Sequence, residues 1–242
     1  MVEMGMEMQH QAMGYDRAAT MFSPDGHLLQ VEYAEKTVRL GSAIIGIKCK
    51  DGVVIVADRR VKDRLIVPES INKIFEIDEH VIASSAGILS DARVLIERAQ
   101  LVSQQNRVTY DSAIDVESVI KEIANLEQQF TQYGGVRPFG VSVMVAGVSG
   151  GKGRLFVSDV TGNYSEYLAM AIGENDEKIK EELRKEYKEE ITIEEAIKLA
   201  LRIMKDNLGK AFDMTRFDIG YIHVKEAKLK RLEGEELRKY IK

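Results

Sequence analysis

The stretch Ala43-Ile44-Ile45-Gly46-Ile47-Lys48-Cys49-Lys50-Asp51-Gly52-Val53-Val54-Ile55-Val56-Ala57 holds two β-rich runs around a short polar joint. Asp-Gly between such runs is a strong hairpin signal, because glycine accepts the positive φ that a tight turn demands. Residues 53–57 contain no polar side chain. A strand with that composition is expected to be buried on both faces. The rest of the chain must therefore cover this sheet from two sides.

Upstream, Phe22-Ser23-Pro24-Asp25-Gly26 reads as a turn, with Pro presetting φ and Gly permitting φ > 0. From His27 to Leu40 the residues Leu28, Val31, Ala34 and Val38 recur at spacings of three and four. That is one apolar face of a helix, and Gly41 stops it. Residues 1–13 place five methionines among Glu, Gln, Gly and His. With no positive n-region and no apolar h-region, they read as a mobile tail and not as a targeting peptide.

Downstream, residues 65–67, 73–77 and 80–85 supply short strand candidates. Two helices are expected next. In 88–105 Ile88, Ala92, Leu95, Ala99 and Val102 trace one face, and in 115–130 Val119, Ile120, Ile123 and Phe130 do the same. Asp115 is an N-cap candidate and Tyr133-Gly134-Gly135 a stop. Strands return at 140–147, 154–159 and 164–172. A charged helix is expected at 176–188, with Glu and Lys at helical spacings. A second, at 192–208, opens on the capping-box pattern Thr192-Ile193-Glu194-Glu195. Residues 217–224 read as a strand and 233–241 as a short charged helix. Two helix pairs and two groups of strands predict an α/β (α+β) chain built as a four-layer αββα sandwich, with residues 14–242 as one domain.

The composition bounds the function. The chain has 242 residues, 45% hydrophobic and 30% charged, which excludes wholesale disorder. No apolar run approaches the roughly 20 residues of a membrane span. The net charge is −5, and with no basic stripe nucleic acid is not expected as a partner. Cys49 is the only cysteine and there are four His. No disulfide within the chain and no Cys/His zinc spacing can form, so a reducing cytoplasm and neither metal nor cofactor are expected.

Taken alone, the residues carry little chemistry. There is no Gly-x-Ser-x-Gly, P-loop or Gly-x-Gly-x-x-Gly pattern. Gly150-Gly151-Lys152-Gly153 lacks the Ser/Thr and the helix of a phosphate loop and reads as a β-turn. Asp58-Arg59-Arg60 at a strand end is an acid/base cluster or a structural ion pair. Lys73 reads as a surface lysine and Ser42 as a polar residue ahead of a strand.

A resemblance adds what the patterns do not. Tyr15-Asp16-Arg17, Phe22-Ser23-Pro24-Asp25-Gly26 and Gln30-Val31-Glu32-Tyr33-Ala34 stand in order within residues 14–34. Ile71-Asn72-Lys73-Ile74, Ser85-Ala86-Gly87, Asp91-Ala92-Arg93 and the run from Tyr133 to Gly140 follow. Together they closely resemble the signature of proteasome α subunits of the archaeal type, over residues 14 to about 240, although the motifs alone do not separate it from the eukaryotic type.

The resemblance implies the fold of N-terminal nucleophile hydrolases, the same αββα sandwich. Catalytic β subunits of that fold use an N-terminal threonine whose own amine is the base. The matching position here is Ser42, with 41 residues before it, so its nitrogen is a peptide amide. Asp58 and Lys73 match the acid and lysine of active subunits. The implied role is a non-catalytic subunit of the 20S core, forming a homo-oligomeric, seven-membered outer ring stacked on β subunits. The tails would gate the pore to unfolded protein substrates. Tyr15, Asp16, Pro24 and Tyr33 match the cluster that holds the gate open. Lys73, with its family partner Glu32 and the pocket floor Gly87, matches the pocket that docks an ATPase activator ring. The alternative is a peptidase processed before Ser42.

Overall fold

Ile44–Cys49 (β1) and Gly52–Asp58 (β2) pair antiparallel as the expected hairpin, with Cys49 opposite Gly52. The turn itself is Lys50-Asp51, and Gly52 opens β2 without a positive φ, its missing side chain making room for the Ile222 carbonyl, 2.1 Å from where a Cβ would stand. The computed structural model describes residues 13–61, 63, 65–67, 70–232, 237 and 239–240. Every residue of β2 is buried. Its side chains alternate between two environments: Val54 and Val56 face a helix layer, and Val53, Ile55 and Ala57 face a second sheet. Burying one such Val or Ile is worth roughly 1.5–3 kcal/mol, so this strand anchors two layers at once.

Leu29–Leu40 (α1) precedes the hairpin. Phe75–Asp78 (β3) and Val81–Gly87 (β4) follow it, then Leu89–Tyr110 (α2) and Val116–Gln132 (α3). Next come Val141–Ser149 (β5), Lys152–Ser158 (β6), Tyr164–Glu166 (β7) and Ala169–Ile172 (β8). Asp176–Glu186 (α4), Ile193–Leu208 (α5), Phe217–His223 (β9) and Leu229–Leu232 (β10) complete the described elements. One sheet has the order β10-β9-β2-β1-β8 and the other β3-β4-β5-β6-β7. Helices α2 and α3 cover the second sheet through Leu95, Ala99, Ile120 and Ile123. Helix α5 covers the first through Ile197, Ala200 and Met204. The sheets meet over Ile44, Ile55, Ile82, Met144 and Leu155. The layers run helix, sheet, sheet, helix, as expected.

The local signals hold where one residue decides the outcome. Thr192 Oγ1 accepts from Glu195 N while Glu195 Oε2 accepts from Thr192 N at 2.9 Å, closing the capping box. Asp115 caps α3 by accepting from Glu117 N at 2.8 Å.

Four points differ from the expectations. Residues 65–67 are not a strand: Leu65 is 90% exposed, and Ser70 N turns back onto the Val67 carbonyl. The run 164–172 is two strands in different sheets, because the chain crosses between them at Tyr167 and Leu168. Tyr167 N still donates to Leu155 O in the second sheet, whereas Leu168 O already accepts from Lys48 N in the first. Strand β10 went unread, since Leu-Lys-Arg-Leu on a sheet edge lacks a buried apolar run. Helix α2 also runs past 105 to Tyr110, where Asp111 at φ 50° ends it. The tail at 1–12 and most of the helix expected at 233–241 lie outside the described residues.

Candidate functional site

Helix α1 packs against β4 and β5. It buries Leu29, Val31 and Ala34, the last two around Val160 of the turn after β6. Thr37 Oγ1 is 2.8 Å from the carbonyls of Ala34 and Gly140, which ties the helix to the start of β5. At its end the backbones close together. A Cβ on Gly41 would stand 2.4 Å from Gly87 N, and one on Gly87 would stand 2.2 Å from Gly140 O. Gly87 also has φ +124°, where side chains are strongly disfavoured. It is the floor of the crossing between α1, β4 and β5.

The expected gate residues surround the first turns of α1. Tyr15–Arg17 is a single 3₁₀ turn entered through Gly14 at φ 79°. Gln30 of α1 donates its amide to the Asp16 carbonyl at 2.5 Å. Pro24 lies in a reverse turn closed by Ser23 N to His27 O at 2.8 Å and Gly26 N to Ser23 O at 2.9 Å. The Tyr33 ring is faced by the Lys36 ammonium, 5.3 Å from its centroid. Glu32, one position earlier, pairs with His27, its Oε1 2.5 Å from Nδ1.

Lys73 stands just before β3, and only 4% of it is exposed. Its ammonium donates to the Ser85 carbonyl at 3.0 Å. Burial pushes its pKa down to about 8; the Asp58 charge opposes that fall and Arg60 adds to it. Within one chain Lys73 is held by Ser85 and Glu32 by His27, so these two candidate residues do not pair with each other. Asp58, 2% exposed at the end of β2, resolves as the structural ion pair. Its Oδ2 takes Arg216 Nη2 at 2.6 Å, and its Oδ1 takes Arg216 Nε and Arg60 N at 3.0 Å each. Ser42, also buried, follows Gly41 directly at the foot of α1.

Arg216 and Asp218, both in or beside β9, escaped the sequence reading. Asp218 accepts from the backbone N–H groups of Lys73 and Ile74. No local pattern marks either residue, because their partners lie 158 and 145 positions away. A cavity of about 1000 Å³ between α4 and α5, lined by Ile191, Leu199, Arg202 and Tyr240, includes none of the candidate residues. Among the described residues no group of three or more His, Cys, Asp or Glu could hold a metal ion. None of the described helices is long and apolar enough to cross a membrane.

Comparison with known proteins gives two family matches. The profile of the proteasome subunit family matches residues 38–222, and the N-terminal signature of alpha-type proteasome subunits matches residues 15–36. The chain is 44% identical over 229 residues to the proteasome alpha chain of Archaeoglobus fulgidus, covering 95% of this chain and 93% of that one. It is 46% identical over 227 residues to that of Methanocaldococcus jannaschii, covering 94% and 87%. With Methanothermobacter thermautotrophicus the figures are 43% over 231 residues, 96% and 93%. A profile spanning most of the sandwich, a second on the segment that builds α1, and full-length relatives agree: the chain belongs to the proteasome subunit family, within its alpha type.

Proposed function

We propose that this chain is a non-catalytic subunit that gates the 20S core and docks its activators. Family membership implies assembly into that core with β subunits, and thereby a part in protein degradation. The proposal adds a homoheptameric outer ring in the cytoplasm, with residues 1–13 screening the pore against unfolded substrates. Tyr15, Asp16, Pro24 and Tyr33 set the gate, and Lys73, Glu32 and Gly87 form the pocket for an ATPase ring.

One observation carries the non-catalytic reading. The position of the nucleophile, Ser42, is joined through Gly41 to a helix whose apolar face is part of the core. Its nitrogen is a peptide amide, which cannot take the hydroxyl proton as a free amine would. Releasing that amine would mean removing α1, with the burial of Leu29, Val31 and Ala34 and the Thr37 contact to Gly140.

The docking reading draws on charge. Lys73 has an ammonium with three donors, one of them on Ser85. A carboxylate from a partner would satisfy another.

The test is intact mass together with Ser42→Ala. The mature chain in assembled core should retain Tyr15 to Gly41, and Ser42→Ala should leave peptide hydrolysis by the particle unchanged. Loss of the first 41 residues, or hydrolysis abolished by Ser42→Ala, would overturn the reading in favour of a processed peptidase.

A further inference from the structure

Lys73 is held in place by side chains from distant parts of the chain. Lys73 N and Ile74 N both donate to Asp218 Oδ2, at 3.0 Å each. The Lys73 carbonyl accepts from Ser84 Oγ at 2.6 Å, and the Ile74 carbonyl from Arg231 Nη2 at 2.8 Å. Arg231 Nη1 stands 3.4 Å from Asp218 Oδ1, which links the two holders. All four backbone polar groups of this dipeptide thus meet a side chain.

Asp218 lies on β9 and Arg231 on β10, at one edge of the first sheet, whereas the dipeptide leads into β3, an edge of the second. The contacts therefore stitch two sheet edges together over Ile74, which is 1% exposed in the core between the sheets. The chain before Lys73 offers no such hold. From Arg59 to Asn72 the described residues form neither strand nor α-helix, and Leu65 and Val67 are exposed. A carboxylate that accepts two amide N–H groups makes bonds roughly twice as strong as neutral ones. Without it, two buried donors lose their partner.

We propose that Asp218 and Arg231 are positioning residues for Lys73: they fix its backbone from the far sheet, so that its ammonium meets the Ser85 carbonyl. This inference rests on the docking role proposed above for its functional meaning, and on geometry alone for its structural content. Asp218 is itself buried, and both residues bond the backbone around Lys73. They act through Lys73, and their removal frees its side chain while leaving every other lysine as it was.

The experiment is pH-dependent acetylation of the assembled core particle by acetic anhydride, read by mass spectrometry at Lys73 and, as a control, at exposed Lys228. In the wild type Lys73 should react slowly. In Asp218→Ala its rate should rise about tenfold and its pH profile should move toward that of Lys228. Asp218→Asn should restore slow labelling, because an amide oxygen still accepts both N–H groups. Should Asp218→Ala fail to assemble, Arg231→Gln on the edge strand carries the test, with an expected rise of about threefold. Unchanged labelling of Lys73 in assembled variants, or an equal rise at Lys228, overturns the inference. ATPase-stimulated hydrolysis, measured in parallel on Lys73→Ala, separates the two readings. Stimulation that survives Lys73→Ala while Asp218→Ala still releases Lys73 removes the docking role and leaves the positioning role standing.

Discussion

Replacing Lys73 by alanine should abolish stimulation by an ATPase ring while leaving the core particle assembled. Among the described residues the ammonium's hydrogen-bond partner is the Ser85 carbonyl, and the residue is 4% exposed. At about 4 Å and an effective dielectric near 20, an arriving carboxylate gains roughly 4 kcal/mol before desolvation. Lys73 is already largely desolvated, so most of the remaining cost falls on the carboxylate. The net gain per pocket is then a few kcal/mol at most. Several equivalent pockets engaging one multivalent partner compound that loss through effective concentration. The same contact should carry a pH signature. With a pKa near 8, Lys73 is about nine-tenths charged at pH 7 and about one-tenth at pH 9. Lowered pKa means the charged form is lost early as pH rises, so docking should weaken through pH 8–9, by up to about tenfold per unit and per site. Bound carboxylate raises the pKa, which moves the midpoint upward in the complex. Lys73→Arg should also fail or weaken, because a planar fork replaces a compact ammonium in a closed pocket. Stimulated peptide hydrolysis from pH 7 to 9, beside native-gel mobility, measures all of this. Full stimulation by Lys73→Ala would refute the reasoning, and a collapsed particle would show that Lys73 is structural.

Three further outcomes are expected. Arg216→Ala leaves Asp58 buried, with Arg60 N as its remaining bonded partner, and should cost about 3–5 kcal/mol, read as a lower melting temperature or failed ring assembly; an unchanged melting curve would contradict the ion pair. Glu127 of α3 is fully buried, and its carboxyl is held well above the ordinary carboxylate range by burial, with Ser158 opposing and Asp159 adding; a raised acid pKa means stability is complete at low pH and declines as pH climbs above the unfolded value near 4.5 toward the folded one, so Glu127→Gln should flatten the pH dependence of melting and Glu127→Met should raise stability by about 1–3 kcal/mol. Deletion of residues 1–13 should speed hydrolysis of peptides several residues long by the assembled particle, and an unchanged rate would mean that the tail does not occlude the pore.

Much of this molecule is legible in its sequence because many of its elements are decided locally. Lys50-Asp51 joins two β-rich runs as a hairpin, Thr192 and Glu195 close a helix start, and a β-branched run without polar residues at 53–57 fits a strand covered on both sides. Legibility ends where the outcome depends on which sheet a residue joins. Nothing in Tyr164 to Ile172 says that the chain changes sheets at Tyr167 and Leu168, since β propensity is the same for either partner. The site divides in the same way. Ser42, Asp58 and Lys73 could be placed by motif. Arg216, Asp218 and Arg231 could not, because each matters only through a partner that folding brings from far along the chain.

Those unread residues also bear on why a hydrolase scaffold can serve another end. The acid position, Asp58, is occupied twice over by Arg216. The lysine position is turned onto the Ser85 carbonyl. Ser42 is bonded through Gly41 to α1, which packs against β4 and β5. Each of these residues sits in a contact that holds the fold together: Asp58 with Arg216, Lys73 with Ser85, and Ser42 through Gly41 with α1. On the non-catalytic reading proposed above, no single reversal would restore catalysis: freeing Asp58 would leave an amide where a base is needed, and cutting before Ser42 would strip a helix from the core. What these contacts leave is a buried cation, Lys73, just ahead of the edge strand β3. A buried ammonium with donors to spare is a poor catalyst without a neighbouring amine, yet it is well suited to hold a carboxylate. In the role proposed, the lysine at the position that resembles an active subunit's own is part of a firm socket for a partner's carboxylate.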